Sequence, residues 1–235
     1  MKNKICMIAH TGFSAKFYRN TESAFLNAPL NGSGGAETDI RVTADNVYVL
    51  NHDPVTRFAD GTVLDVATST YAQLSAKPLL NTLNDEVVYI CTLRRYLEIM
   101  RDNNMVCFVE MKGVFSDEQI KGAFSLVEEV YDLEKCIFQS FQIDNLLRAR
   151  SFFPKLPLMY TYGKGEAEKG YQVCLDNGIS IDADYELVTE KMISDFHAKG
   201  LYAACWTVNS KEVLNRLKVL DLDFIESDCF GGGDL

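Results

Sequence analysis

The chain has few histidines, few tryptophans and a shortage of positive charge. Of its 235 residues only three are histidine and one is tryptophan, and 23 Lys and Arg stand against 33 Asp and Glu. The formal net charge of -10 argues against binding to nucleic acid or to an anionic membrane, because both need clustered cations to displace counterions. We therefore expect no nucleic-acid partner, and an anionic substrate would need a metal ion or a few placed cations.

Long hydrophobic runs and paired cysteines are also missing. No apolar run reaches the length of about 20 residues that a membrane-spanning helix needs. The first residues lack the apolar core and cleavage site of a signal peptide. The seven cysteines are scattered singly, without a C-x-x-C pair, and five of them lie in apolar runs. We expect buried, reduced thiols in a cytoplasmic protein without a membrane span.

Short apolar runs alternate with longer segments of helical period, which is typical of βα units around a parallel sheet. Eight candidate strands, together with the length of the chain, favour a closed (β/α)8 TIM barrel over an open sheet, formed by a single domain over residues 1–235. The predicted strands are Ile5–Ala9, Ala36–Val42, Met105–Met111, Cys136–Ser140, Leu158–Thr161, Ser180–Ala183, Leu201–Trp206 and Phe224–Glu226.

The helical patterns lie between these strands, and several begin after a capping residue such as Thr92, Ser116 or Asn209. They cover Thr92–Arg101, Asp117–Tyr131, Ile143–Phe153, Glu190–Lys199 and Ser210–Leu220.

Two parts of the chain depart from regular alternation. Val47–Leu50 predicts an extra strand, and the segment of about 53–84 predicts a small insertion after the second strand with a tight turn at Asp60-Gly61. After the eighth strand, only a shortened C-terminal end remains for an eighth helix. We expect a neighbouring subunit, in a homo-oligomer, or the N-terminal side of the barrel to cover this position.

Polar side chains stand at the ends of several apolar runs, where TIM barrels build their active sites. His10 follows the first strand, and Glu37 and Asp39 are two apart on the second, so both side chains point to one face. Glu110 and Lys112 repeat this spacing on the third strand. Three neighbouring carboxylates favour a hard divalent cation such as Mg²⁺ or Ca²⁺, with Mn²⁺ as a further candidate. His10 and His52 supply a titratable pair.

These residues, in this order and spacing, make the chain resemble the glycerophosphodiester phosphodiesterase family over nearly its whole length. The segments that carry the resemblance are Ile8-Ala9-His10-Thr11-Gly12, Asn20-Thr21, Glu37-Thr38-Asp39, His52-Asp53, Val109-Glu110-Met111-Lys112 and Trp206-Thr207-Val208-Asn209, with Ser140-Phe141 and Ser227-Asp228 as weaker markers.

The resemblance implies a metal-dependent hydrolase that converts a glycerophosphodiester to sn-glycerol 3-phosphate and an alcohol. Glu37, Asp39 and Glu110 would bind the metal, and His10 and His52 would act as acid and base. Two further residues would bind the substrate, Lys112 the phosphate and Trp206 the glycerol or alcohol part.

Three other functions remain open. The first is a related phosphodiesterase, or a cyclising phospholipase D-like enzyme, acting on another phosphodiester. The second is a non-catalytic phosphodiester-binding barrel, against which the full set of carboxylates and histidines argues. The third is a metal-dependent sugar isomerase, which would draw ligands from more strands. His197, by contrast, falls within a predicted helix, and we interpret it as structural.

Two positions depart from the family pattern. Thr11 stands where the family has an Arg, and Arg19 stands where it has a Glu. A lost cation and a gained one are thus eight residues apart on one predicted loop. Our hypothesis is that Arg19 partly replaces the missing guanidinium near the substrate.

Replacement of Arg19 by alanine should therefore lower activity on a phosphodiester, because the substrate anion would lose a cation. The rate of product release by the Arg19→Ala variant, compared with the unaltered protein, measures this. An unchanged rate would mean that Arg19 is a solvent-exposed loop residue without a role in the reaction.

Overall fold

A computed structural model describes residues 5–165 and 167–235. In this part of the chain, eight parallel strands form a closed barrel, since β1 pairs with both β2 and β11, and β3 adds antiparallel to β2. The predicted TIM barrel is thereby confirmed. The strands are β1 Cys6–Ala9, β2 Gly35–Val42, β3 Tyr48–Leu50, β4 Val55–Arg57, β5 Val63–Asp65, β6 Val106–Met111, β7 Cys136–Ser140, β8 Leu158–Tyr162, β9 Ser180–Asp184, β10 Ala203–Trp206 and β11 Phe224–Ser227.

Helices follow most barrel strands and lie outside them. Their bounds are α1 Glu22–Asn27, α2 Tyr71–Ser75, α3 Leu93–Asp102, α4 Asp117–Val130, α5 Ile143–Phe152, α6 Ala167–Asn177, α7 Glu190–His197 and α8 Lys211–Leu217. Thr92 and Ser116 accept hydrogen bonds from the third residue of α3 and α4, as N-caps do. Asn209 is not the N-cap that the sequence predicted, because α8 begins after Ser210 and Asn209 instead contacts Asp228.

The sequence pattern missed three helices, α1, α2 and α6. Two of them are short, with six residues in α1 and five in α2, and α6 lies between two strands in a stretch rich in charge and glycine. Periodicity is a weak signal when a helix is short or mostly polar.

The closed end of the barrel interior is apolar. Alternate residues of the barrel strands point inward, and those nearest the strand N-termini form one buried cluster: Ile8, Phe108, Ile137, Met159, Ala204 and Phe224. The rings of Phe108 and Phe224 meet edge to face with centroids 5.0 Å apart. This layer closes the barrel from below, so the inward polar residues further along the strands lie toward the strand C-termini.

The insertion follows β3, whose antiparallel pairing brings the chain back to the level of Asp39, where the Asn51 amide donates to the Asp39 carbonyl. It contains the two-stranded hairpin of β4 and β5, with Gly61 at a φ of 83° in the connecting turn, followed by α2. Phe58, Val66, Leu74 and Leu79 form a small core together with Val49 of β3 and with Val88 and Ile90. This packing anchors the insertion to β3, and residues of the insertion line the cleft beside His52.

The C-terminal segment packs on the N-terminal side of the barrel. A short 3-10 turn, Gly232–Asp234, takes the place of a helix after the last barrel strand, β11, and the Gly232 amide donates to the Gly32 carbonyl at 2.9 Å. A Cβ added to Gly231 would lie 1.7 Å from the Asn31 carbonyl oxygen, so this close approach requires glycine. The N-terminal side of the barrel is thus in contact with the C-terminal segment, as one of the two expectations for this position had it. A homo-oligomer stays a prediction.

Truncation of the Phe108 ring should destabilise the barrel by about 3–5 kcal/mol, because it leaves a cavity in the buried layer that closes the interior. Urea unfolding of the Phe108→Ala variant measures this change. Val63→Ala is the control, since Val63 is 46% exposed on the hairpin and its truncation should cost less than about 1 kcal/mol. Equal losses for the two variants would contradict a structural role for this layer.

Candidate active site

Three carboxylates meet at the open end of the barrel. Glu37 and Asp39 point inward from β2, and Asp39 lies directly beside Glu110 in the register of β2 and β6. One oxygen from each of the three side chains lies within 4.8 Å of the others. The fold therefore brings together the predicted metal-binding set, and all three side chains are buried.

Burial makes these carboxylates costly to ionise. Desolvation, followed by the charges of Asp39 and Glu226, raises the pKa of Glu37 well above its ordinary value. Desolvation likewise raises the pKa of Glu110 to about 7, although Lys112 opposes this. A bound cation would favour the ionised forms, since metal ligation requires deprotonated carboxylates.

Lys112 is the cation that the structure places among these carboxylates. Its Nζ lies 3.1 Å from an Asp39 oxygen and 2.9 Å from a Glu110 oxygen. Burial by itself would lower the pKa of Lys112, but the charges of Asp39 and Glu110 raise it above its ordinary value. The Lys112 ammonium group therefore stays charged, and it offsets part of the negative charge of the cluster.

Residues of the loop after β1 position the carboxylates. Asn20 donates from Nδ2 to Asp39 Oδ2 at 2.7 Å and accepts from the Asp39 amide. The Thr11 amide donates to Glu37 Oε2 at 2.9 Å, while the Thr11 hydroxyl donates to the His10 carbonyl. Thr11 thus contacts the site through its backbone.

Glu37 keeps one oxygen, Oε1, that is buried and has no hydrogen-bond partner among the described residues. A buried carboxylate oxygen without a donor is costly. With two further carboxylates beside it, this oxygen fits a divalent cation, so the donor set is compatible with the metal that the sequence predicted.

His10 is held by a carboxylate from the far end of the chain. Its Nδ1 lies 2.8 Å from Asp228 Oδ1, and Asp228 also accepts from Ser14 and Asn209. Burial opposes the ionised form of Asp228, but the bonds from His10 and Ser14 lower its pKa overall. With Nδ1 bonded to a carboxylate, Nε2 is the ring nitrogen available for a substrate proton or a ligand.

His52 has a similar arrangement at the edge of the insertion. Its Nδ1 lies 2.9 Å from Asp53 Oδ1, and its backbone carbonyl accepts from Arg41 Nη2 at 2.6 Å. The hydrogen bond from His52 lowers the pKa of Asp53. The ring is 44% exposed, so His52 borders the mouth of the barrel.

Two adjoining clefts connect these histidines. A cleft of about 620 Å³ opens beside His10, and one of about 240 Å³ opens beside His52. Arg19 lines both clefts, with its Nη2 3.9 Å from Asp53 Oδ2. Arg19 thus lies beside the predicted site, and its half-exposed side chain can reach a ligand in either cleft.

Trp206 lies at the end of β10, where its ring meets Phe141 edge to face with centroids 5.4 Å apart. The indole Nε1 is buried without a hydrogen-bond partner in the described part of the chain. An indole N–H usually finds an acceptor when it is buried, so this donor could serve a ligand at the barrel mouth.

Below the site lies a polar layer that the sequence reasoning missed. Gln139 Nε2 donates at 3.0 Å to both Asp182 Oδ2 and Glu226 Oε1. Because β7, β9 and β11 are not neighbours in the sheet, these bonds cross the barrel interior. Desolvation raises the pKa of both carboxyls well above the ordinary value. The sequence did contain a signal for this layer, because Asp182 and Glu226 are charged residues within strands that were predicted to be buried.

Two other polar residues have structural roles. His197 Nε2 lies 2.9 Å from Asp223 Oδ2, at the end of the barrel opposite to the site. Ser140 donates to the Met111 carbonyl and accepts from the Gln142 amide. These contacts agree with the structural interpretation of His197.

Comparison with known protein families identifies the family of this chain. The model of the glycerophosphoryl diester phosphodiesterase family matches residues 10–230. The chain belongs to this family. The family predicted from the motifs is thereby confirmed, and with it an enzyme of the phosphodiesterase type.

Relatives named as glycerophosphodiester phosphodiesterases cover most of the chain at low identity. The glycerophosphodiester phosphodiesterase of Caldanaerobacter subterraneus is 25% identical over 230 residues, which span 96% of this chain and 94% of the relative. Glycerophosphodiester phosphodiesterase 1 of Bos taurus is 24% identical, over 89% of this chain and 73% of its own.

Solved structures share the fold. A glycerophosphodiester phosphodiesterase from Thermotoga maritima superposes with a TM-score of 0.77 at 22% identity, over 95% of this chain and 94% of the other. A phosphodiesterase from Oleispira antarctica, solved in complex with the product sn-glycerol-3-phosphate, gives a TM-score of 0.82 at 20% identity, over 95% and 92%. None of the described helices is both long enough and apolar enough to cross a bilayer.

The raised pKa of Glu110 predicts how pH affects the metal-free protein. In the folded state the pKa of Glu110 is about 7, which exceeds the ordinary 4.5. The contribution of Glu110 to the stability of the folded state is therefore fully present below pH 4.5, and it is lost as the pH rises through 7. The free energy of unfolding in EDTA, relative to a Glu110→Gln variant, should fall by up to about 3 kcal/mol between acidic and mildly alkaline pH. Added Mg²⁺ or Ca²⁺ should restore the wild-type value at the alkaline end.

Urea unfolding of both proteins at several pH values, with EDTA and with metal, makes the comparison. The prediction is contradicted if the free energy of unfolding of the wild type, relative to that of Glu110→Gln, stays constant or increases as the pH rises. Glu110 would then not be a buried group that binds a proton.

Proposed function

We propose that this chain hydrolyses a glycerophosphodiester to sn-glycerol 3-phosphate and an alcohol, in a divalent-metal-dependent reaction. The observation that carries the proposal is the meeting of three buried carboxylates, Glu37, Asp39 and Glu110, at a barrel mouth bordered by two histidines. Each of these histidines is bonded to a carboxylate of its own. Family membership and the product bound to the Oleispira protein support the same reaction.

The three carboxylates would hold the cation, and their all-oxygen donor set favours Mg²⁺ or Ca²⁺, with Mn²⁺ as a further candidate. When bound, the cation would neutralise the nonbridging oxygens of the phosphodiester, whose negative charge otherwise repels a nucleophile. The unpartnered Oε1 of Glu37 supports this assignment.

His10 and His52 would move the protons. One imidazole takes a proton from the attacking oxygen as a new phosphorus–oxygen bond forms, and the other protonates the alkoxide as the bond to the alcohol breaks. Asp228 and Asp53 bond to Nδ1 of the two rings, which fixes the tautomers and leaves each Nε2 for the substrate. Neither ring is deeply buried, so both can reach a ligand in the clefts.

The remaining predicted residues would bind the substrate. Lys112, already between Asp39 and Glu110, would add positive charge beneath the phosphate. Arg19 would approach the phosphate or the alcohol from the clefts. Trp206, at the end of β10, would form a flat wall for the glycerol or alcohol part. Thr11 contributes its backbone amide to Glu37. We further propose a cytoplasmic location, which the unpaired state of all seven cysteines supports.

Release of sn-glycerol 3-phosphate from a panel of glycerophosphodiesters tests the proposal. Wild-type protein should release it with Mg²⁺ or Ca²⁺ and lose activity in EDTA. Glu37→Ala and His10→Ala should each lower kcat at least about 100-fold, because a metal ligand or a proton-transfer group is lost.

His197→Ala is the matched control, since its ring lies at the other end of the barrel, and it should keep near-wild-type kcat. Absence of release from every substrate, in protein that still binds metal, would refute glycerophosphodiester hydrolysis. A cyclic phosphate as the final product would instead identify the cyclising reaction.

A further inference from the structure

A second group of potential ligands overlaps the carboxylate cluster. His10, Glu37 and Glu226 each offer one atom, and these atoms also lie within 4.8 Å of one another. Glu37 belongs to both groups, whereas Glu226 comes from β11, which β1 separates from the β2 strand of Glu37 and Asp39. The two groups differ in chemistry, because one offers oxygen donors alone and the other offers an imidazole nitrogen with two carboxylates.

The buried oxygen of Glu37, which both groups share, is a further sign of a ligand at this point. Oε2 accepts from the Thr11 amide, but Oε1 has no partner among the described residues, although Glu37 is only 2% exposed. Lys112 bonds to the other two carboxylates of the first cluster and not to Glu37. An electrophile between Glu37 and its neighbours would satisfy this oxygen.

Glu226 is fixed in position from below. Gln139 donates to its Oε1 at 3.0 Å, and this bond holds the side chain within the barrel. Ligating carboxylates in proteins are commonly hydrogen-bonded by such an outer partner, which orients them toward the ion. Glu226 is 2% exposed, so solvent does not orient it.

His10 has the environment of a metal ligand as well as that of a proton-transfer group. Its Nδ1 bonds to Asp228 at 2.8 Å, and metal-ligating histidines nearly always bond through the other ring nitrogen to a carboxylate or carbonyl. A set of one imidazole and two carboxylates suits Zn²⁺, which takes nitrogen and oxygen ligands with a position left open. It suits Mg²⁺ and Ca²⁺ less well, because both prefer oxygen.

We propose that His10, Glu37 and Glu226 form a second cation site, selective for a borderline metal such as Zn²⁺, whose occupation inhibits the enzyme. Zn²⁺ at this site occupies Nε2 of His10, which then neither accepts nor donates a proton. Sharing of Glu37 couples the site to the oxygen-only cluster. The inhibitory effect rests on the proposed function, whereas the binding of Zn²⁺ does not.

Isothermal titration of metal-free protein with Zn²⁺, in the presence of saturating Mg²⁺, tests the site directly. Wild-type protein should bind one Zn²⁺, and Glu226→Gln should bind it at least about tenfold more weakly, because a ligand is lost. Asp182→Asn is the matched control, since Asp182 is equally buried and also bonds to Gln139 but belongs to neither ligand group. It should keep the wild-type affinity.

His10→Gln covers the case in which the Glu226 variant does not fold, because the partly exposed His10 ring can be replaced without disturbing the interior. This variant should show the same loss of Zn²⁺ affinity. Cys229→Ser tests the cysteine that lines the cleft beside His10, and it should bind Zn²⁺ as the wild type does. Unchanged affinity in both Glu226→Gln and His10→Gln, or loss in Cys229→Ser alone, would overturn the site.

Kinetics test the inhibition. Zn²⁺ should inhibit Mg²⁺-activated release of sn-glycerol 3-phosphate by the wild type, and Glu226→Gln, relative to its own zinc-free rate, should need at least about tenfold more Zn²⁺ for half inhibition. Equal zinc sensitivity of the two proteins would overturn the inhibitory role. An inactive wild type would refute the proposed function alone, and the titrations would still decide whether the site exists.

Discussion

An excess of buried negative charge is the constraint on which the site depends. Five carboxyl groups are buried among the described residues, namely Glu37, Asp39, Glu110, Asp182 and Glu226. Lys112 is the cation that ion-pairs within this group. Because unpaired buried charge is strongly unfavourable, such an interior is stable only with protons or cations bound. Its charge therefore makes the barrel mouth a place where divalent cations are favoured.

The barrel solves the problem of placing these groups. Its apolar lower layer, around Phe108 and Phe224, closes the interior and leaves the polar residues accessible from one end only. Parallel strands in fixed register put Asp39 beside Glu110. Side chains outside the strands then supply hydrogen-bond partners for the site. Asn20 donates to Asp39, and Asp228 and Asp53 bond to His10 and His52. The barrel strands thus carry the carboxylates that we propose as cation ligands, and more exposed elements carry the two histidines that we propose as proton-transfer groups.

Several features of the site could not be read from separate motifs. Asp228 lies 218 positions from His10 in the chain, so no local pattern links the two residues. The motif Ser227-Asp228 at the end of the eighth strand was visible, but its contact with His10 was not. The pairing of Asp182 and Glu226 through Gln139 is likewise a contact across the barrel. Thr11 appeared as a lost cation, yet in the folded chain its amide donates to Glu37. The role of a backbone group is not encoded in the residue type.

The sequence by itself determined the strand order, the barrel and the chemistry available at each strand end, because the period of apolar residues and the alternation along strands are local properties. The set of Glu37, Asp39, Glu110, His10 and His52 could therefore be chosen before the fold was known. Only the tertiary structure decided which groups share charge, which oxygen of Glu37 lacks a partner, and that Glu226 lies beside His10. These facts depend on closure of the sheet, which brings residues from opposite ends of the chain to within a few ångströms.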